Sequence, residues 1–195
     1  MSAPRGPYAK SSAKREQILR AALEIYAEAG SRKVSVRDIA KRVGMTDTGV
    51  LHHFGSRENL LTAVLEARDA VGAEIYGDVL SDPSASAKLL AGNVSTPGLV
   101  KLFLDVAAAA AEPEHPAHDY FVERYARFRK EVAVRLAETS AARDAGGADS
   151  AWAARILIAA VDGLQIQWLL EPEIDMAADL TALYRLLLDT AGPDA

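Results

Sequence analysis

The chain has 195 residues, of which 50% are apolar, 25% charged and only 6% aromatic. This balance is typical of a globular protein of one large domain or two small ones, and it excludes a disordered or fibrous chain over most of the length. The absence of cysteine excludes disulfides, zinc-thiolate sites and cysteine nucleophiles, and it fits a reducing cytosol.

The net charge of -5 conceals an asymmetry along the chain. Residues 1–57 carry 11 Lys or Arg against 5 Asp or Glu, whereas residues 58–195 carry 11 against 22. We therefore expect the first segment to bind a polyanion and the second not to, although chance alone also distributes charge unevenly.

The sequence predicts neither a membrane span nor a secretory signal. No uninterrupted apolar run exceeds the length of residues 106–111, which is far below the about 20 residues that a membrane-spanning helix needs. The first eight residues contain Arg5 but lack the apolar core of a signal peptide. The predicted location is the cytoplasm.

The first predicted helix covers residues 13–29, after a flexible arm of residues 1–12. Ile18, Ala22 and Ile25 recur at spacings of four and three residues, which place them on one helical face. The glycine that follows residue 29 favours a helix end.

Two short helices are predicted next, at 36–43 and 46–54. Ser35 can cap the earlier one, and the carboxylate three residues later completes a capping box. Thr46 can cap the later one in the same way. Gly44 separates the two helices, so their connection is as tight as that of a helix-turn-helix.

The remaining segments also have helical periodicity. A longer helix begins after Ser56 and ends near residue 78, and a proline-containing break follows at 82–84. Further helices are predicted at 85–93, at 97–111, along the apolar stripe 121–136, at 150–170 after a Gly146–Gly147 turn, and from 176 to about 190. No strand pattern of useful length and no internal repeat is present, so an all-α fold is predicted.

The first three helices predict a DNA-binding motif. In a helix-turn-helix, a short second helix braces a third whose polar first residues enter the major groove. Backbone donors at the helix N-termini suit phosphates. The predicted DNA-binding residues are Ser35, Arg37, Lys41, Thr46, Asp47, Thr48, Gly49, Leu51, His52 and Arg57.

The stretch VRDIAKRVGMTDTGVLHHFGSRENLL at 36–61 resembles the TetR family of bacterial transcriptional regulators. Within it, LHHFGSRENL is similar to the end of that family's recognition helix and the start of its fourth helix. Two positions depart from the family pattern. Leu51 stands where many members carry a tyrosine that touches a phosphate, and Asp47 stands where a basic or small polar residue is frequent.

The resemblance implies the organisation of the whole chain. Residues 13–57 would form the helix-turn-helix domain, and residues 58–195 a helical body for ligand binding and dimerisation. The expected function is that of a repressor that binds a palindromic operator as a homodimer and leaves it when a small apolar ligand binds. The sequence does not identify the ligand, the operator or the regulated genes.

The last two helices are the predicted dimer interface, because each is apolar around more of its circumference than one body can cover. In this family such helices form a dimerising four-helix bundle. The predicted interface residues are Leu157, Val161, Leu164, Trp168, Leu180, Leu183, Tyr184 and Leu187.

Nine of the twelve aromatic residues lie beyond residue 57, which favours an aromatic-lined cavity in the body. The alternative for each residue is that it fills the core. The predicted ligand-binding residues are Phe103, Ala107, Phe121, Tyr125, Phe128, Trp152 and Trp168, with Gln165 as a polar anchor.

No cofactor or metal is predicted. His52 and His53 are adjacent on a helix and point about 100° apart, so DNA contact or packing is the better interpretation. Glu112, Glu114, His115 and His118 are interrupted by prolines that indicate a loop between helices.

Two other functional classes remain as alternatives. A helical adaptor that binds only protein has no need of a basic helix-turn-helix. An enzyme is disfavoured because the sequence contains no phosphate-binding glycine loop, no G-x-S-x-G elbow and no H-E-x-x-H motif.

Overall fold

The computed structural model describes residues 7–30, 34–76, 92–142 and 149–189. Within these residues the chain is helical, with no strand, which confirms the all-α prediction. The helices are α1 (Pro7–Glu28), α2 (Val36–Arg42), α3 (Asp47–Phe54), α4 (Arg57–Tyr76), α5 (Pro97–Ala109), α6 (His118–Ala142), α7 (Ser150–Leu170) and α8 (Met176–Asp189).

The helix ends agree with the predictions to within a few residues, with one larger difference. The helix α1 begins at Pro7, six residues earlier than predicted, so part of the predicted flexible arm is helical. Proline suits the first turn because the amide hydrogen that it lacks has no partner there. The predicted break at 82–84, most of the helix at 85–93 and the turn at 146–147 lie outside the described residues.

The described contacts divide the chain into two compact units. The head unit, Met1–Ala70 with Thr96–His118, contains α1, α2, α3, α5 and most of α4. The body unit, Val71–Ser95 with Asp119–Ala195, contains α6, α7 and α8. The predicted division into a DNA-binding domain of residues 13–57 and a body of residues 58–195 stays a prediction.

The head unit is built around a core of large aliphatic side chains on α1 to α5, among them Ile18, Ile39, Val50, Leu60 and Val100. Buried Gly98 allows the first turn of α5 to approach the end of α1 at backbone distance. A Cβ atom there would clash with the Tyr26 carbonyl oxygen and lie 2.8 Å from that of Gly30. No side chain fits this position without moving the backbone.

The body unit has its own core, in which α7 and α8 pack together with the middle of α6. Its buried members are Leu136, Ala153, Ala154, Leu157, Leu180, Leu187 and Leu188. Half-buried Trp152 and Tyr184 pack against this cluster.

Among the helices that the structure describes, one, α7, is long and apolar enough to cross a membrane by length and composition alone. The prediction from uninterrupted apolar runs did not identify it, because Arg155 and Asp162 interrupt its sequence. Such a helix is weak support for a span, since the core helix of a soluble protein passes the same test. Only 28% of its most apolar window is buried within the chain, which leaves apolar surface on α7 uncovered.

Candidate nucleic-acid interface

The turn between α2 and α3 has the geometry of a Schellman motif. The amide of Met45 donates to the Ala40 carbonyl at 2.9 Å, and the amide of Gly44 donates to the Lys41 carbonyl at 3.4 Å. Gly44 has a φ of 67°, a left-handed conformation that glycine adopts without strain. The predicted role of Gly44 in closing α2 is therefore confirmed.

The start of α2 carries the predicted capping box. The Ser35 side chain accepts from the Asp38 amide, and the Asp38 carboxylate accepts from the Ser35 amide at 2.9 Å. The Ser35 hydroxyl also donates to that carboxylate at 2.8 Å. The polar atoms of Ser35 thus hold the helix start in place.

The start of α3 presents polar side chains to solvent. The Thr46 hydroxyl accepts from the Gly49 amide at 3.0 Å, as the predicted cap requires. Thr46, Asp47 and Thr48 are exposed, whereas Val50 and Phe54 bury the opposite face of the helix. A Cβ atom at Gly49 would lie 3.1 Å from the Thr46 hydroxyl oxygen, so glycine gives this cap room to form.

The end of α3 is held by Arg15 on α1, which sequence reasoning did not identify. The Arg15 guanidinium donates to the His53 carbonyl and stacks 4.2 Å from the centre of the Phe54 ring. Buried Phe54 is thus part of the core. Since 38 residues separate Arg15 from His53, no local spacing pattern in the sequence could indicate this contact.

The basic side chains near α3 fall into two groups. Arg37, Lys41 and Arg57 are exposed and have no ion pair within the described residues. Arg42 instead pairs with Glu28 at 2.8 Å and with Glu24 at 3.4 Å on α1. The Arg42 hydrogen bond lowers the pKa of the Glu28 carboxyl and ties α2 to α1.

The other predicted DNA-binding residues follow along α3. His52 is exposed, and its ring centre lies 6.1 Å from that of half-buried His53 in an edge-on arrangement. Leu51 is half-buried. Among the described residues, no group of three or more His, Cys, Asp or Glu side chains could hold a metal ion.

The acidic and histidine-containing segment at 112–117 lies in the predicted loop between α5 and α6, and His118 is the first residue of α6. The His115 Nδ1 atom accepts from the Ala117 amide at 3.1 Å, and the His118 Nδ1 atom lies 2.9 Å from the Ala110 carbonyl oxygen. Both rings therefore serve the local backbone.

The predicted ligand-binding residues are divided between the units. Phe103 and half-buried Ala107 belong to the head unit, where Phe103 lies in the core with the Arg68 guanidinium 5.6 Å from its ring centre. The body unit contains Phe121, Tyr125, Phe128, Trp152, Gln165 and Trp168. A common cavity remains a prediction.

The body unit also contains a polar contact that sequence reasoning missed. The Tyr125 hydroxyl donates to the Asp162 carboxylate at 2.6 Å. Burial, followed by this hydrogen bond, raises the pKa of Tyr125. Burial also raises the pKa of Asp162, against the opposing effects of the Tyr125 bond and Arg124. The sequence feature that could have indicated this contact is Asp162 itself, because α7 contains only one other charged residue, Arg155.

The predicted dimer residues have two kinds of environment. Leu157, Trp168, Leu180 and Leu187 are buried within the single chain, and Val161, Leu164, Leu183 and Tyr184 are partly buried. The large apolar residues that are exposed on the same helices are Ile156, Ile166, Leu170 and Leu186.

Two family models match the chain. The model of bacterial regulatory proteins of the tetR family matches residues 18–64, which include α2 and α3. The model of the BetI-type transcriptional repressor C-terminal region matches residues 84–192, more than half of the chain. These matches confirm the prediction of a regulator rather than an enzyme.

Individual relatives agree with the family models. The chain is 35% identical over 75 residues to the HTH-type transcriptional regulator BetI of Stenotrophomonas maltophilia, an alignment that covers 36% of this chain. It spans 38% of that protein's length.

Two solved structures share the fold. One is a transcriptional regulator from Rhodococcus sp. Rha1, with a TM-score of 0.68, 21% identity and coverage of 89% of this chain and 95% of the other. The second is NalD, the secondary repressor of the MexAB-OprM multidrug efflux pump in Pseudomonas aeruginosa, with a TM-score of 0.58, 19% identity and coverage of 91% and 95%.

Proposed function

The chain belongs to the TetR family of bacterial regulatory proteins, and from this premise we propose that it is a cytoplasmic transcriptional repressor that binds operator DNA through α2 and α3. The observation that carries the proposal is the exposed polar first turn of α3, which lies beside exposed basic side chains. A major groove accepts such a helix, and phosphates on either side accept the cations.

The side chains divide into two roles on DNA. Thr46, Asp47, Thr48 and His52 would meet base edges, with Gly49 and Leu51 setting the distance of α3 from the groove. Arg37, Lys41 and Arg57 would bind phosphates. The Ser35 hydroxyl serves the capping box, so the contribution of Ser35 to DNA binding would be to orient α2.

The active species is proposed to be a homodimer formed through α7 and α8. Leu170 is 77% exposed, Leu186 is 58% exposed and Ile166 is 50% exposed on these helices. Exposed apolar surface of this extent is typical of an interface. Two-fold symmetry then requires a palindromic operator with half-sites about 34 to 36 Å apart, or a multiple of that distance.

A small molecule bound in the body is proposed to release the operator. A ligand shifts a conformational equilibrium only by its difference in affinity between two states, so it must bind the form that does not fit DNA more tightly. The helix α4, which runs from the head unit into the body unit, is the element that can connect ligand binding to the position of α3.

Selection of bound duplexes from a random DNA pool tests this proposal. We expect enrichment of one palindromic sequence, with binding that weakens steeply as salt concentration rises. An adaptor that binds only protein would enrich no sequence and would not be retained on heparin. Enrichment of a single asymmetric half-site would retain DNA binding but contradict the dimer.

A further inference from the structure

A carboxylate interrupts the apolar surface of α7. Asp162 and Arg155 are the only charged residues of this helix, and Asp162 is half-buried whereas Arg155 is exposed. The Asp162 carboxylate accepts a hydrogen bond of 2.6 Å from Tyr125 on α6. A carboxylate has about four lone-pair sites, and one phenol donor satisfies one of them.

A second unsatisfied acceptor lies one helical turn further along. Gln165 is 5% exposed, and its Oε1 atom has no hydrogen-bond partner within the described residues. Buried side-chain oxygens without a donor are uncommon in proteins and indicate a missing partner. Because Gln165 is buried inside a single chain, this partner is not a second copy docked on the outer face of α7.

The two acceptors lie next to aromatic side chains. Residue 165 is three positions from both 162 and 168, so Gln165 is the helical neighbour of Asp162 on one side and of Trp168 on the other. Trp168 is buried, as is Phe121 on α6, whose ring centre lies 6.1 Å from that of Tyr125. The body unit thus combines acceptors with apolar rings.

We infer that Asp162, Gln165 and Tyr125 recognise the protonated nitrogen of a primary amine with an apolar or aromatic body. A primary ammonium has three N–H donors and one positive charge, which match the Asp162 carboxylate, the Gln165 amide oxygen and the Tyr125 hydroxyl oxygen. The neighbouring rings suit the apolar body and the cation. This inference rests on the proposed ligand-relieved repression and specifies the class of ligand.

The proposed chemistry distinguishes this ligand from two close relatives. A neutral apolar molecule brings no positive charge to the carboxylate, and a quaternary ammonium has the charge but no N–H donor for Gln165. Arg124, which stacks 4.2 Å from the Phe128 ring centre, also acts on Asp162 and lowers its pKa. The amide oxygen of Gln165 is therefore the feature that selects for N–H donors.

Calorimetric titration of the full-length protein with 2-phenylethylamine tests the inference, with 2-phenylethanol and the N-trimethyl derivative as matched probes. We expect the amine to bind at least tenfold more tightly than either. Asp162→Asn should weaken amine binding at least tenfold and leave 2-phenylethanol binding unchanged, and Gln165→Leu should also weaken amine binding at least tenfold. Glu123→Gln, an exposed carboxylate on α6, is the control that should change nothing.

Thermal melting followed by circular dichroism establishes that each variant is folded, and Tyr125→Phe provides a second, milder change at the same carboxylate. Equal affinity for the amine and the alcohol, or no heat from the amine up to millimolar concentration, would overturn the inference. Amine binding that does not alter affinity for the selected operator would instead contradict ligand relief and retain the site.

Discussion

At the scale of single residues, Arg57 occupies a position that local electrostatics disfavour. It is the first residue of α4, where the helix dipole places positive partial charge, and it is exposed without an ion pair within the described residues. A cation in such a place contributes little to the fold and remains available to a phosphate.

Arg57→Ala is therefore expected to weaken binding to every DNA sequence and to reduce the salt slope of log K by about one. Lys130→Ala removes an exposed cation from α6 and should leave the slope unchanged. Fluorescence anisotropy with the selected operator at several salt concentrations measures both. An unchanged salt slope of log K for Arg57→Ala would show that Arg57 does not contact DNA.

Thr48 should instead determine sequence preference. Thr48→Val keeps the shape of the side chain and removes the hydroxyl. We therefore expect a loss of about 1–3 kcal/mol in DNA-binding free energy that depends on the base at a single operator position. Repeating the selection from the random pool with the variant measures it. The same enriched sequence for both proteins would show that Thr48 does not contact bases.

We expect Arg15 to stabilise the fold of the motif through its contacts with the His53 carbonyl and the Phe54 ring. Arg15→Ala removes both the bond to the His53 carbonyl and the cation above the Phe54 ring, and we expect a loss of about 1–3 kcal/mol in the free energy of unfolding. Arg20→Ala, an exposed cation on the same helix, is the control. Urea denaturation with equal midpoints for the two variants would contradict the role of Arg15.

At the scale of elements, alanine substitutions at two helical glycines are expected to change the free energy of unfolding in opposite directions. Gly98 lies at the close contact between α1 and α5, whereas Gly163 lies in α7. Gly98→Ala places a methyl group against the backbone carbonyls of Tyr26 and Gly30, so it should destabilise the protein by about 1–3 kcal/mol despite the better helix propensity of alanine. Gly163→Ala in α7 meets nothing within 4 Å and should stabilise by about 0.5–1 kcal/mol. Thermal melting measures the stability of both variants. A higher melting temperature for Gly98→Ala than for the unmodified protein would show that α1 and α5 can move apart to accommodate the methyl group.

The helices and their caps could be predicted from the sequence because both depend on neighbours within a few residues. Ser35, Gly44 and Thr46 have the predicted roles for this reason. The hydrogen bond from Arg15 to the His53 carbonyl joins residues 38 positions apart, and the Tyr125–Asp162 hydrogen bond joins residues 37 positions apart. Helical periodicity in the sequence cannot reveal contacts at such separations. Apolar spacing also could not distinguish buried Leu157 from exposed Ile166, because both fit a helical stripe.

At the scale of the whole molecule, we expect the exposed apolar residues of α7 and α8 to determine the oligomeric state. Ile166→Glu together with Leu170→Glu places two charges on the proposed interface, and we expect a monomer that binds the palindromic operator far more weakly. Ile75→Glu, at a residue of α4 that is 65% exposed, is the control and should remain dimeric. Sedimentation that finds a dimer for the double variant would place the interface elsewhere.

The coupling between ligand and operator must be equal in both directions. If 2-phenylethylamine at saturation lowers operator affinity a hundredfold, the coupling free energy is about 2.7 kcal/mol, and saturating operator must weaken amine binding by the same hundredfold. Asp162→Asn should reduce both effects together. Operator affinity in the absence of amine should stay unchanged, because Asp162 lies in the body unit and α2 and α3 lie in the head unit.

Titrations of amine with and without operator, read from the fluorescence of Trp152 and Trp168, measure the effect of operator on amine affinity. Operator titrations at fixed amine concentration measure the effect of amine on operator affinity. Amine affinity that does not change when the operator is bound would mean that the amine does not relieve repression.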